Sequence, residues 1–500
     1  SYESENYDRF TAKRINFDQQ ENMSLQLGSA QDQNAWSEGN QWTINSFFSR
    51  VNYTFANKYV IEGTIRADGS SRFDPDHRWG WFPGVNAAWR VGEEGFMKRL
   101  GWFEDLKVRA SYGEMGNQSG IGLYDYIQLI SLSNDYYPFG TGVKGQMATS
   151  GNIISTSRTW ETIQTTNVGF DFSTLNNRLY GSFDYFWKEN KNMLIPKTYP
   201  SMLGADAPST NSGHLSIHGW EISLGWRDQI KDFSYSVRFN ISDAKNKVVD
   251  RVGSNLIQLG NNETPTGYPL NSYFGYEFDG IIQNEQELEA YKSRFSEGGI
   301  PGDLSVGDAM YKDLDGDGKL SVLGDGKEGS GDVKYLGDKN PRYNFGFNLS
   351  MAWKGFDLSA FIQGVGRRTM FLEGESRCPM PEAWYQSAEY WYGKTWTPER
   401  TDAQYPAITL KDKRNYNYYV STNTKFNVAY ARLKNLQFGY TIPQTLTSKA
   451  GLQKVRVYFS GEDLFEVHNT PNGWDPEENS GSITSYPFTR NYSFGINVVF

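Results

Sequence analysis

One stretch of the 500-residue sequence is built to gather charge, "KDLDGDGKLS". Asp313, Asp315 and Asp317 stand at positions 1, 3 and 5 of a loop of the EF-hand kind. Gly318 is at position 6, where the chain must turn, and Leu320 is apolar at position 8. Alternate carboxylates in a tight turn converge on one hard cation. The carbonyl of Lys319 falls at position 7, while position 12 is Gly324 and not glutamate, so the bidentate ligand is missing. Asp325 and Asp332 are the available substitutes. The residues permit two readings: a structural Ca2+ site that orders a long loop without catalysing anything, or a solvated acidic turn.

Other candidate chemistry is weaker. "GTGVKG" carries Gly140, Gly142 and Gly145 in the G-x-G-x-x-G spacing, but no helical pattern follows to receive a phosphate, so it reads as a loop. His214 and His218 share one face of a strand pattern without a third ligand, and read as polar wall residues. "GWDPEE" crowds Asp475, Glu477 and Glu478 into one loop, whereas a glycosidase needs two carboxyl groups fixed across a cleft. No G-x-S-x-G elbow is present. The residues make no case for an enzyme or an organic cofactor. A loop holding Trp384, Tyr385, Tyr390, Trp391, Tyr392 and Trp396 offers rings that stack on sugars, or that pack the loop against itself.

Composition bounds the elements that must position these groups. Aromatics make up 16% of residues and glycine contributes 51, which suits strands and many turns. Mean hydropathy is −0.63. Charges interrupt every stretch long enough to cross a bilayer as a helix, so a helical membrane protein is excluded. A net charge of −9 disfavours nucleic acid as a partner. A lone cysteine, Cys378, excludes an internal disulfide and a cysteine-built zinc site.

Alternation with period 2 dominates. In "FSYSVRFNIS", Phe233, Tyr235, Val237, Phe239 and Ile241 alternate with Ser234, Ser236, Arg238, Asn240 and Ser242. "YNFGFNLSM" (343–351) and "LYGSFDYFWK" (179–188) behave alike. Similar segments near 43–55, 58–68, 85–92, 105–112, 165–172, 214–226, 356–363, 428–440, 453–463 and 488–500 bring the number to about thirteen antiparallel strands, with a further one in residues 10–29. Short connections at 56–58, 174–177, 228–232 and 354–355 alternate with long ones near 113–160, 191–213, 248–340 and 367–426. One trimmed rim and one elaborated rim fit an outer-membrane barrel. Arg50, Asp68, Arg109, Asp184 and Arg238 fall on polar rows and are expected to line the lumen. Tyr492, Phe494, Ile496, Val498 and Phe500 form the apolar row of a terminal strand expected to close the barrel, because an open edge in lipid leaves backbone groups unpaired. "NEQELEAYKSRF" (284–295) predicts a short helix, with Asn284 and Glu287 as a capping box and Leu288, Tyr291 and Phe295 as its apolar stripe.

"RADGSSRF" (66–73) followed by "RWGWFPGVNAAWRVGEEGFMK" (78–98) resembles the barrel of SusC-like TonB-dependent transporters, as do "LKVRASYGEMGNQSGIG" (106–122), "WETIQTTNVGFDF" (160–172), "KYLGDKNPRYNFGFNLSMAWKGFDLSAFIQG" (334–364), "YARLKNLQFGYTIP" (430–443) and the closing "YPFTRNYSFGINVVF". The resemblance runs nearly end to end and in order. It implies an all-β antiparallel transmembrane β-barrel in a Gram-negative outer membrane, with these residues forming the C-terminal part of a plugged barrel of roughly 22 strands. The plug, the TonB-contacting segment and the first strands lie outside this chain. It also implies active import of an oligosaccharide or oligopeptide nutrient, a SusD-like surface lipoprotein as partner, and energy from TonB. Acidic turns similar to Asp313–Asp317 occur in that family's external loops. The rival reading is a surface all-β carbohydrate-binding protein or adhesin. The two differ in one respect: a barrel turns its apolar rows to lipid, whereas a sandwich buries them between layers.

Overall fold

The computed structural model describes residues 1–17, 24–29, 33–133, 138–139, 143–144, 147–151, 153–196, 208–251, 259–260, 264–323, 331–381, 386–409, 412–478, 486 and 488–500. Fourteen strands form one sheet in which each strand pairs with its neighbours in the chain. They are β1 (Tyr2–Arg14), β2 (Gln33–Phe55), β3 (Tyr59–Ser70), β4 (Trp79–Arg90), β5 (Asp105–Asn117), β6 (Glu161–Thr174), β7 (Leu179–Pro196), β8 (Ser209–Ile230), β9 (Phe233–Asp250), β10 (Arg342–Trp353), β11 (Phe356–Arg367), β12 (Tyr430–Thr441), β13 (Lys454–His468) and β14 (Asn491–Val499). Every pairing is antiparallel, so the sheet is an up-and-down meander.

Register turns the alternation into two continuous surfaces. Arg50 pairs with Thr64, Thr64 with Gly84, Gly84 with Gly113, Gly113 with Thr165 and Thr165 with Lys188, so these share one face. The opposite face carries Phe47, Val51, Tyr53, Ile61, Trp81, Val85, Phe438, Val457 and Ile496, all exposed. No second layer covers them among the described residues. An apolar face of this extent is tolerated in lipid and not in water, which removes the sandwich reading. At the short-turn rim its rings form a girdle: Phe55 stacks near Tyr59, Tyr59 near Trp89, Trp353 near Phe356, and Phe356 lies 4.5 Å from Tyr440. Phe47 and Trp79, 5.9 Å apart, and the Tyr185–Trp187 pair belong to the other rim.

The short rim is made of tight connections. Lys354 and Gly355, at φ 46° and 91°, join β10 to β11 in two residues, which requires left-handed backbone at both. Glu94, in the longer 91–104 connection, accepts from Lys58 Nζ at 2.9 Å and Tyr59 Oη at 2.7 Å and ties three strand ends together. On the other rim the connections are 15–32, 71–78, 118–160, 197–208, 251–341, 368–429 and 469–490, so 71–78 is an exception to the long series.

The structure corrects two strand expectations. The first strand is Tyr2–Arg14 and not 10–29, and β2 starts at Gln33, ten residues before its visible alternation. These segments pair with each other from Tyr2↔Asn45 to Arg14↔Gln33. Both of their faces are wet, so the ladder rather than burial holds them and no apolar period marks them. The last strand, β14, has β13 as its one partner, so β1 and β14 are the edges of an open sheet. Its row Tyr492, Phe494, Ile496 and Val498 faces outward as expected, with Phe500 beyond the strand end, and within this chain it ends the sheet, as the C-terminal part of a larger barrel is expected to.

Leu349 sits on the outward row, midway along β10 between Trp353 and Phe345, and Asn348 faces inward beside it. Leu349→Arg is expected to cost about 2–4 kcal/mol of folding free energy in lipid, and Asn348→Arg far less. Urea titration of the full-length protein refolded into vesicles would measure both; equal effects would mean that the two faces are misassigned.

Candidate functional site

The inward face is a polar wall whose charges are mostly neutralised in place. Arg109 bridges two strands, donating to Asp171 at 2.9 and 3.0 Å and to Asp184 at 3.0 Å, with Lys107 also on Asp171 at 2.7 Å. Arg50 donates through Nε to Glu62 at 2.7 Å, and Arg66 to Asp68. Arg456 pairs with Asp357. Arg238 differs: it donates to the Tyr180 hydroxyl at 3.4 Å and lies 5.8 Å from that ring, which Arg227 also approaches at 5.3 Å. All five residues expected to line the lumen therefore lie on the inward row. A trough of about 1060 Å3 runs along it between β2 and β6, lined by Arg50, Thr64, Asp68, Gly84 and Gly113. His214 and His218 are on the opposite row, where His214 bonds Glu189 and His218 stands beside Trp187.

The buried core of this molecule is in its connections. Residues 264–323 and 331–341 pack with 368–381, 386–409 and 412–429 into a cap on the long-connection rim, around Ile282, Leu288, Tyr291, Tyr311 and Tyr416 and a second cluster of Met370, Trp391, Tyr405, Tyr418 and Trp474. The expected helix spans Glu285–Arg294. Asn284 caps the Glu287 N–H at 2.9 Å, Glu287 reaches back to the Gln283 N–H, and Leu288, Tyr291 and Phe295 are buried. Tyr291 and Tyr416 share a 2.7 Å hydroxyl bond, and burial pushes the Tyr311 phenol far above its ordinary range.

These contacts decide most of the aromatic loop. Trp391 is buried and cannot stack on a ligand. Trp396 lies over Gly307 and donates Nε1 to Gln283 at 3.0 Å, and Tyr390 bonds Tyr405. Packing is thus the role of these three rings, with Tyr390 partly open, while Tyr392 is 89% exposed. Trp384 and Tyr385 lie outside the described residues, as do Gly140, Gly142, Gly145, Gly324 and Asp325.

In the acidic turn, the carboxylates of Asp313, Asp315 and Asp317 come within 4.8 Å of one another. Gly316 and Gly318, at φ 75° and 76°, bend the chain so that their N–H groups meet Asp313 at 2.6 and 3.0 Å. Lys319 donates its N–H to Asp317 and bridges Gly298. Asp332 stands outside this trio, and its two oxygens accept the N–H groups of Leu314 and Ser321, which clamps the turn at both ends. Burial, and then Asp315 and Asp313, hold its pKa above the ordinary aspartate value.

The family model described as TonB dependent receptor-like, beta-barrel, matches residues 2–464. The chain belongs to that family. It is similar to TonB-dependent receptor P3 of Formosa agariphila, at 32% identity over 490 residues, covering 92% of this chain and 46% of the relative. SusC of Bacteroides thetaiotaomicron matches at 27% over 497 residues, covering 94% and 45%. The fold superposes on the structure of the RagAB peptide transporter with a TM-score of 0.80 at 22% identity, over 99% of this chain and 52% of that one. The chain spans about half the length of the curated relatives it matches. As a SusC-like β-barrel it resides in the outer membrane of a Gram-negative cell, and its relatives are receptors, not enzymes.

In this SusC-like barrel the densest charge cluster escaped sequence reading. Arg432, fully buried on the inward row of β12, donates to Glu466 at 2.7 Å and Asp475 at 2.6 Å and lies 3.2 Å from Glu477. Lys434 joins Asp463 and Glu477. The Asp475 and Glu477 carboxylates of "GWDPEE" thus pin residues 475–477 to the wall. The available signal was the Leu433–Leu436 spacing, which betrays a bulge that turns Lys434 and Asn435 inward together.

Glu277 in the cap accepts from Lys312 at 2.7 Å and from Lys334, which lowers its pKa to about 2. A carboxylate depressed on folding contributes stability above its unfolded pKa, and that contribution is lost as pH falls from about 4.5 toward 2. Glu277→Gln is expected to remove this acid dependence. Hydrogen exchange of residues 309–312 and 333–336 between pH 5 and 2.5 would read it, and parallel pH profiles for variant and parent would refute it.

Proposed function

We propose that this chain forms barrel wall and outer cap of an importer carrying an oligosaccharide or oligopeptide nutrient across the outer membrane. A polar, ion-paired inward row lies back to back with an uncovered apolar outward row, and this observation carries the reading. Such a wall lets a hydrophilic solute pass beside hydrocarbon. The cap, packed at one rim, is placed to meet solute and a SusD-like surface lipoprotein. Energy comes through TonB, whose contact we assign to polypeptide outside these 500 residues. The edges β1 and β14 take partners from the same source, which gives the Tyr492–Val498 row its closing role. Kinship with SusC and the RagAB-like fold support the reading without choosing between sugar and peptide. Cells lacking the full-length protein, or depleted of TonB, are expected to lose accumulation of a radiolabelled oligosaccharide or oligopeptide pool. Undiminished uptake of both pools would refute import.

We also propose that Asp313, Asp315 and Asp317 hold Ca2+ in a structural role. Three converging carboxylates in a turn clamped by Asp332 support this. Bound Tb3+ is expected to give sensitised luminescence, and saturating Ca2+ to quench it by displacement and to raise the melting midpoint. Asp315→Asn with Asp317→Asn should abolish both; no luminescence from the parent protein would leave a solvated turn.

A further inference from the structure

Between residues 388–394 and 472–474 the cap encloses a cleft of about 440 Å3 that is separate from the trough along the barrel wall. Its floor is rigid. Tyr390 lies 5.1 Å from Trp391, 5.7 Å from Trp474 and 6.1 Å from Phe426, and bonds Tyr405 at 2.6 Å. On this fixed ring rests the Lys394 ammonium, 3.5 Å from the centroid. The ring attracts the charge but takes none of the three N–H donors in a hydrogen bond. No carboxylate among the described residues pairs with Lys394, although Glu389 lines the same cleft. Desolvation lowers the Lys394 pKa, as expected of a cation held without an anion. Asn472 and Tyr392, both exposed, line the same cleft.

We propose that this cleft is a substrate subsite for a carboxylate: Lys394 takes the anion, Asn472 donates a hydrogen bond beside it, and Tyr392 stacks on the adjoining part of the ligand. The inference rests on the import reading and narrows its substrate class to acidic solutes. A single ammonium with Glu389 at the rim matches a monoanion and disfavours a dianionic phosphate. Two sources supply that chemistry, the C-terminal carboxylate of an oligopeptide and a uronate of an acidic oligosaccharide.

Calorimetry on the full-length protein in detergent distinguishes them with two probe pairs, trialanine against its C-terminal amide and trigalacturonate against maltotriose. One acidic probe is expected to bind about tenfold or more tightly than its neutral counterpart. Lys394→Met should remove that preference, Lys394→Arg should keep it, and Tyr392→Ala should weaken both members of the pair. Equal binding of acidic and neutral probes, no binding of either acid, or an unchanged preference in Lys394→Met would overturn the subsite. Cellular uptake, measured alongside, separates the two readings: TonB-dependent uptake with no carboxylate preference rejects the subsite alone, whereas absence of uptake in the parent rejects import.

Discussion

Hydrocarbon offers no hydrogen bonds, and the whole design answers that constraint. Every backbone N–H and C=O that crosses the bilayer must find its partner in a ladder, and an unpaired group costs several kcal/mol. Fourteen strands pairing only with chain neighbours meet this demand. The two edge strands, β1 and β14, are the points where the demand is unmet within these residues.

The same constraint inverts the usual distribution of apolar residues. The strands place Phe, Tyr and Trp where a water-soluble sheet would be polar, and their other face carries charges and small residues. Such a wall has no core of its own. Ion pairs between strands, such as Arg109 of β5 with Asp171 of β6 and Asp184 of β7, take its place on the inner face. Arg432 is the extreme case, a fully buried guanidinium answered by three carboxylates from a strand and a connection. Removing one partner of such a set is far costlier than the net worth of the intact set, because a buried charge is then left alone. The arrangement therefore fixes where the last connection lies more than it adds stability.

The ordinary hydrophobic core sits instead in the cap, where two long connections condense around buried tyrosines. Connections of this length would be unstable as open loops over a wet lumen. Packed together they become a scaffold rigid enough to hold an acidic turn at one place and an unpaired ammonium at another.

Local periodicity is legible without coordinates. The alternation of Phe233 to Ile241 named its strand and both its faces, the Asn284–Glu287 box named its helix, and the short connections named the rim, because each depends on neighbours within a few residues. What the tertiary structure alone decided depends on distant partners. Tyr2–Arg14 is a strand because β2 lies beside it, and nothing in its own pattern says so. Trp391 is core and Tyr392 is surface, although they are adjacent and equally aromatic, because residues far along the chain enclose only the first. Asp475 and Glu477 are structural because Arg432 faces them across a bulge. A sequence states which side of a strand is oily, but enclosure and charge pairing are properties of what comes to lie alongside.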